Sequence, residues 1–145
     1  MKIFIGNDHT AVEMKTAIVE YLESQGHEVI NLGTNDLNPV DYPDLGFAVG
    51  EAVGKDVTSL GIVICGSGIG ISIAANKVPG IRAALCYEKE AVELARQHNN
   101  ANILALGARF IAVYKAVELV KVFLQTQFEE DRHSERVRKL CDYNG

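Results

Sequence analysis

The chain has 145 residues, a formal net charge of -5, 48% hydrophobic residues and 23% charged residues. This length suits one domain that buries roughly two-thirds of its unfolded surface, and the composition excludes an intrinsically disordered protein. The acidic balance argues against broad nucleic-acid binding because phosphate backbones need a positive field, and no apolar run is long enough to cross a bilayer.

Five short apolar runs predict strands. Most are continuous rather than alternating, as expected of strands that are covered on both faces in a parallel sheet. The predicted strands are Lys2–Gly6, Glu28–Leu32, Leu60–Cys65, Arg82–Cys86 and Asn102–Leu106.

Helical patterns separate these strands. Ala11, Met14, Ile18, Tyr21 and Leu22 share one apolar helix face, ended by Gly26 in a C-cap position, and Val113, Val117, Val120 and Leu124 share another. The other predicted helices are Asp44–Asp56, about Gly70–Asn76, Glu88–Gln97 and Arg132–Cys141. This alternation predicts a single α/β domain over residues 1–145, a three-layer, doubly wound, Rossmann-like fold whose five-stranded parallel sheet has the order 2-1-3-4-5 and helices on both faces.

The cysteines indicate the redox compartment. Cys65, Cys86 and Cys141 are odd in number, and two of them close apolar runs, so reduced thiols are expected rather than a disulfide framework. Met1-Lys2-Ile3 leads directly into a strand without a signal peptide. We therefore expect a cytoplasmic protein that does not contact membranes.

The loop after the third strand carries the most specific pattern. Cys65 is followed at once by Gly66-Ser67-Gly68-Ile69-Gly70, whose backbone N–H groups can face an anion and favour a thiolate. A tight strand-to-helix turn is the simpler alternative. Position 71 is Ile71 rather than glycine and no Walker lysine follows, which weakens dinucleotide and P-loop interpretations.

Polar residues also follow the other strands. Ligands of such folds bind outside the carboxyl ends of the strands, so Asp8, His9, Cys65 and Ser67 are expected to share one crevice. Arg132 and Arg136 lie four residues apart on one helical face and suit a phosphate, although a solvated charged helix explains the same spacing.

Several motifs together resemble one family, the type B ribose-5-phosphate isomerases, which also includes the galactose-6-phosphate isomerase subunits. The resemblance covers almost the whole chain. It rests on Gly6-Asn7-Asp8-His9, Asp41-Tyr42-Pro43-Asp44, Cys65-Gly66-Ser67-Gly68-Ile69-Gly70, Asn76-Lys77-Val78-Pro79-Gly80-Ile81-Arg82, His98-Asn99-Asn100-Ala101-Asn102 and Arg132-His133.

The resemblance implies an aldose–ketose isomerase that uses no metal and no cofactor. Ribose 5-phosphate and ribulose 5-phosphate would interconvert through a cis-enediolate, a reaction of the non-oxidative pentose phosphate pathway. By resemblance Cys65 moves the proton between C2 and C1, and Ser67 passes a proton between O1 and O2. The backbone N–H groups of Gly66, Gly68, Ile69 and Gly70 would stabilise the enediolate as an oxyanion hole does.

The remaining site residues also follow from the resemblance. His98 would open the sugar ring while Asp8 and Asn99 orient hydroxyls, and Tyr42 would line the pocket. Three of these residues have a simpler alternative: His98 as a solvated residue at a helix C-terminus, Asp8 as an N-cap, and Tyr42 as an exposed turn residue. The phosphate clamp would consist of His9, Arg109, Arg132 and Arg136. Glu130-Asp131 departs from the glycine pair common there, and Thr10 from a small residue.

The position of His98 has a consequence for assembly. Its helix returns to the opposite edge of the sheet before the fifth strand, so His98 should lie far from its own Cys65. If both act on one sugar, the chain forms a homodimer with shared active sites. The sequence leaves open whether two dimers form a tetramer, whether the substrate is instead a hexose 6-phosphate (allose or galactose), and whether the chain is a noncatalytic phosphosugar- or nucleotide-binding domain.

Overall fold

The computed structural model describes residues 1–143, and the predicted strands and helices are present with ends shifted by up to a few residues. The strands are β1 (Lys2–Asn7), β2 (Glu28–Asn31), β3 (Leu60–Cys65), β4 (Ala83–Leu85) and β5 (Ile103–Gly107). The helices are α1 (Val12–Ser24), α2 (Tyr42–Lys55), α3 (Ile69–Asn76), α4 (Lys89–Gln97), α5 (Val113–Gln125) and α6 (His133–Asp142), and a short 3₁₀ turn, His9–Ala11, precedes α1.

All five strands pair in parallel, which confirms the predicted fold class, but the strand order is β2-β1-β3-β5-β4. The predicted order 2-1-3-4-5 was therefore wrong in its last two strands. The physical reason is burial. Every residue of β5 is buried, whereas β4 has only three residues, all half-buried. The apolar β5 takes the inner position beside β3, and the short β4 takes the edge, where one side needs no strand partner.

Two apolar cores lie on opposite faces of the sheet. The larger packs α1, α4 and α5 against one face, with Ile18, Leu104 and Phe123 fully buried. The smaller packs α2 and α3 against the other face, around Val49, Val63 and Ile71. The three layers match the prediction.

Close approach between layers explains some of the glycines. A Cβ at Gly46 of α2 would lie 2.8 Å from the Cβ of Ala74 in α3, so the two helices touch backbone to backbone. Gly26, at φ +84°, follows α1 and ends it, as the sequence predicted. No helix within residues 1–143 is both long and apolar enough to span a membrane.

Candidate active site

A cleft of about 570 Å³ opens at the carboxyl ends of β1 and β3. Its walls come from the turn after β1, the first residue of α2, the glycine loop with the start of α3, and the loop after β5. The lining residues are Asp8, His9, Thr10, Tyr42, Cys65, Gly66, Ser67, Ile69, Gly70, Ile73 and Arg109. The crevice that the sequence predicted for Asp8, His9, Cys65 and Ser67 is therefore present.

Cys65 is the last residue of β3, and its side chain faces the glycine loop. The residue is only 5% exposed, yet it lines the cleft, and its Sγ accepts a hydrogen bond from the N–H of Gly68 at 3.2 Å. Gly68 has φ +79°, and a Cβ there would lie 2.6 Å from Cδ1 of Leu85. The loop is thus a tight turn, and that same turn aims an N–H group at the sulfur, so the two interpretations of the glycines are compatible.

Ser67 and Tyr42 face the cleft from two sides. The Ser67 Oγ accepts a hydrogen bond from the N–H of Ile69 at 3.1 Å, a local turn contact just before α3, whose N-cap residue is Gly68. Tyr42 begins α2, and its ring lies against Gly70, where any Cβ would collide with the ring carbons. A glycine is therefore needed at position 70 for the Tyr42 ring to pack there. The Ser67 hydroxyl and the Tyr42 phenol both line the cleft wall.

Asp8 extends the pairing of β1 with β3, because its N–H donates to the carbonyl of Ile64 at 3.1 Å. Its Oδ1 accepts hydrogen bonds from the N–H and hydroxyl of Thr10, so the predicted capping role is confirmed, although for the 3₁₀ turn rather than for α1. His9 follows, and its Nδ1 accepts a hydrogen bond from the N–H of Val40 at 3.2 Å. A neutral His9 therefore carries its proton on Nε2, where it can be donated to a ligand.

Arg109 supplies a cation at the cleft. Its guanidinium lies over Gly66, where a Cβ would be 3.3 Å from Nε, and its backbone N–H donates to the Gly66 carbonyl at 2.9 Å. Within residues 1–143 no carboxylate forms an ion pair with it. The guanidinium is exposed and available to an anion.

The other predicted site residues lie elsewhere, at the amino ends of the strands. The His98 ring stacks on the ring of His133 with centroids 4.2 Å apart. Arg132 and Arg136 are close enough for their charges to act on His133. Asn99 follows His98 and lines a separate cavity with Leu140 of α6 and Tyr143, which follows that helix. We call His98, Asn99, Arg132, His133 and Arg136 the amino-edge cluster.

The electrostatics of this cluster are positive. Burial lowers the pKa of His133, and the charges of His98, Arg132 and Arg136 lower it further, while Glu129 opposes them. A neutral imidazole is therefore favoured at position 133, close to the exposed guanidinium groups of Arg132 and Arg136. The two guanidinium groups of this cluster can receive an anion.

The cleft and the amino-edge cluster are at opposite ends of the sheet. Cys65 pairs with Gly107 and Gly61 pairs with Ile103, a span of roughly 13 Å along parallel strands. His98 lies five residues before Ile103, on the far side of that span. None of His98, Asn99, Arg132 or Arg136 lines the cleft, as the sequence predicted for His98. Gly68 is also outside the lining but contributes its N–H to Cys65.

Three features were missed from the sequence: the contact of Val40 with His9, the contact of Tyr87 with the Ser67 carbonyl, and, away from the cleft, the buried ammonium of Lys15. Lys15 left a signal, because it falls on the apolar face of α1, where a charged residue is unexpected. The other two carry no local signal, since they join segments distant in sequence. Among the described residues, no group of three or more His, Cys, Asp or Glu side chains is arranged to hold a metal ion.

Known proteins resemble this chain over nearly its whole length. The family model described as Ribose/Galactose Isomerase matches residues 3–140. A probable ribose-5-phosphate isomerase B from Mycoplasma pneumoniae is 45% identical over 142 residues, which cover 97% of this chain and 93% of the relative.

Solved structures agree with this chain in fold. Ribose-5-phosphate isomerase B from Clostridium thermocellum matches with TM-score 0.94 and 49% identity, over 98% of this chain and 96% of that one. The enzyme of the same name from Mycoplasma genitalium, solved with bound ribulose-5-phosphate, matches with TM-score 0.95 and 42% identity, over 98% and 95% of the two chains.

Proposed function

Because this chain belongs to the Ribose/Galactose Isomerase family, we propose that it interconverts D-ribose 5-phosphate and D-ribulose 5-phosphate. The observation that carries the proposal is the Cys65 thiol in a cleft that also holds a hydroxyl, a carboxylate and two basic side chains. An aldose–ketose isomerisation needs a base beside a carbon, a proton relay between oxygens and a phosphate site, and the cleft supplies candidates for each.

The proposed chemistry begins at the sulfur. Cys65 as thiolate removes the C2 proton of the open-chain sugar and returns it to C1, which leaves the thiolate regenerated. Ser67 passes a proton between O1 and O2. The N–H groups of the loop from Gly66 to Gly70 stabilise the negative charge on the enediolate oxygen. The loss of one such donor typically raises a barrier by about 2.7–4 kcal/mol.

Ring opening and phosphate binding require the amino-edge cluster of a second subunit. We propose a homodimer in which His98 and Asn99 of one chain reach the sugar held by Cys65 of the other, with Arg132 and Arg136 completing a phosphate site that begins with His9 and Arg109. The separation of these groups within one chain supports this arrangement. The phosphate site would also include α6, so the proposed catalytic domain extends through residues 132–141. A soluble sugar phosphate as substrate favours a cytoplasmic location.

A hexose 6-phosphate is the alternative substrate, because the family's description covers galactose as well as ribose. A hexose phosphate is longer by one carbon, roughly 1.5 Å. The chain retains Asp8, His9, Cys65, His98 and both arginines of α6 together, which supports a self-sufficient pentose phosphate isomerase. A noncatalytic phosphosugar-binding domain would need the arginines and the glycines but not the thiol.

The test is the Cys65→Ala variant, assayed with ribose 5-phosphate, allose 6-phosphate and galactose 6-phosphate. We expect the parent protein to turn over ribose 5-phosphate fastest. The variant should lose at least about 100-fold in kcat, the usual contribution of a general base, while calorimetry shows that it still binds the sugar phosphate within a fewfold of the parent.

The matched control is Cys141→Ser, which removes an exposed thiol on α6 and should keep full activity. Full activity in the Cys65→Ala variant would disprove the proposal that Cys65 is the catalytic base. A parent protein that binds these sugars without converting any of them would identify a binding domain instead of an enzyme.

A further inference from the structure

The Tyr87 side chain crosses the end of β5 and contacts the glycine loop that follows β3. It follows β4 at the carboxyl edge of the sheet, and β5 lies between β4 and β3. Gly107, the last residue of β5, permits the crossing: a Cβ there would lie 3.2 Å from Cε1 of Tyr87 and would collide with the Ser67 carbonyl. The Phe110 and Tyr87 rings form a T-shaped pair with a centroid distance of 6.0 Å and an interplanar angle of 86°. The phenol is thus held from two sides.

The Tyr87 hydroxyl donates a hydrogen bond to the Ser67 carbonyl at 2.6 Å. The N–H of the same peptide unit belongs to Gly68, and it donates to Sγ of Cys65 at 3.2 Å. In a planar trans peptide the C=O and the N–H point in opposite directions, so fixing one orients the other. A hydrogen bond accepted by the carbonyl also polarises the peptide and makes its N–H a better donor.

Tyr87 supports this loop through a side chain, whereas the neighbouring loop carbonyls are held by backbone groups. The carbonyl of Cys65 accepts from the backbone N–H of Ala108, and that of Gly66 from the backbone N–H of Arg109, both at 2.9 Å. The Ser67 carbonyl, next in line, accepts instead from a side chain. A point substitution at position 87 therefore releases the third carbonyl and leaves the two backbone contacts in place.

We propose that Tyr87 is a positioning residue for Cys65, because its hydroxyl orients the Ser67–Gly68 peptide and so keeps the Gly68 N–H directed at the sulfur. An N–H donor stabilises a thiolate more than a thiol, since a hydrogen bond to an ionised acceptor is the stronger one. The value of this positioning for turnover rests on the proposed function, in which the thiolate is the base. The effect on thiol ionisation does not depend on any substrate.

The experiment compares Tyr87→Phe with the parent, both carrying Cys141→Ser. The rate of Cys65 carbamidomethylation by iodoacetamide is measured from pH 5 to 10 by peptide mass spectrometry, since only the thiolate reacts. We expect the midpoint of the profile to rise by about 0.5–1 pH unit, which corresponds to weakening one hydrogen bond. With ribose 5-phosphate, kcat below the midpoint should fall roughly threefold to tenfold, with KM within about twofold.

Two controls separate this effect from looser packing. Tyr114→Phe removes the hydroxyl of a side chain that is 72% exposed and makes no hydrogen bond among residues 1–143, and Phe110→Leu removes the ring that contacts Tyr87 while sparing its hydroxyl. Tyr114→Phe should retain the parent midpoint, and Phe110→Leu, which leaves the hydroxyl in place, should shift the midpoint less than Tyr87→Phe does. An unchanged midpoint in a Tyr87→Phe protein that melts near the parent temperature would overturn the proposal, and so would a fall in kcat without a shift. A shifted midpoint in a protein without isomerase activity would support the positioning role and reject the proposed function.

Discussion

Lys15 is a charged residue held inside the protein. It is 3% exposed, and its Nζ donates to the carbonyl of Thr34 at 2.9 Å and to the side-chain oxygens of Asn31 and Asn35. Burial lowers the pKa of this ammonium, and the three oxygens compensate for the lost water. The contacts fasten the loop after β2 to α1. The same loop carries Val40, whose N–H sets the tautomer of His9.

We predict that Lys15→Met destabilises the protein by about 1–3 kcal/mol, because three oxygen acceptors lose a charged donor at a buried position. Urea unfolding followed by circular dichroism measures the change. Lys121→Met is the matched control, because Lys121 is exposed on α5, and it should alter stability by less than about 0.5 kcal/mol. Equal effects of the two substitutions would mean that the Lys15 contacts contribute nothing specific.

At the scale of the element, α6 is attached to the rest of the chain by little apolar surface. His133 and Val137 are its buried residues, and its ion pairs, Arg138 with Glu135 and with Asp142, lie within the helix. The stack of His133 on His98 therefore joins α6 to the end of α4. Since the proposed phosphate site uses this helix, its attachment also matters for binding.

The attachment of α6 should depend on pH. The pKa of His133 is lower in the folded protein than in the unfolded chain, so the unfolded chain binds a proton more tightly. The contribution of His133 to stability is therefore fully present above pH 6.5 and declines as the pH falls below that value. We predict a smaller decline in melting temperature between pH 8 and pH 5 for His133→Gln than for the parent. The variant should start lower at pH 8, because the ring stack is lost. Parallel curves would show that His133 does not contribute to the acid sensitivity.

At the scale of the whole molecule, one chain carries two groups of candidate site residues that do not meet. The cleft with Cys65 lies at the carboxyl ends of the strands, and the amino-edge cluster lies at their amino ends. Large apolar side chains are exposed near both: Ile69 and Ile73 beside the cleft, Leu140 and Tyr143 on or after α6. Such residues are suited to contact with a second subunit, as the proposed homodimer requires.

We predict that inactive Cys65→Ala and His98→Ala chains regain activity when they are unfolded together and refolded. Half of randomly paired dimers are hybrids, and each hybrid has one site with both residues intact, so about one quarter of parent activity should return. The control mixes Cys65→Ala with the double variant Cys65→Ala/His98→Ala, in which every site lacks the thiol. No recovery in the first mixture would show that each site is self-contained.

The sequence by itself determined the secondary structure and the fold class, because apolar periodicity and glycine positions are local signals. It also determined that Asp8, His9, Cys65 and Ser67 meet, since parallel strands bring their carboxyl ends to one edge. The resemblance to a family supplied roles that spacing does not carry, such as that of His98.

Tertiary packing alone decided the rest. The order of β4 and β5 followed from competition for the buried position beside β3, which depends on all strands at once. That order brings Tyr87 over Gly107 to the Ser67 carbonyl, and the same packing stacks His98 on His133. Such contacts join residues that are 20 or more positions apart, so no local sequence pattern predicts them. They form because burial of the apolar strands fixes the strand order, and the strand order decides which strand ends and loops lie side by side.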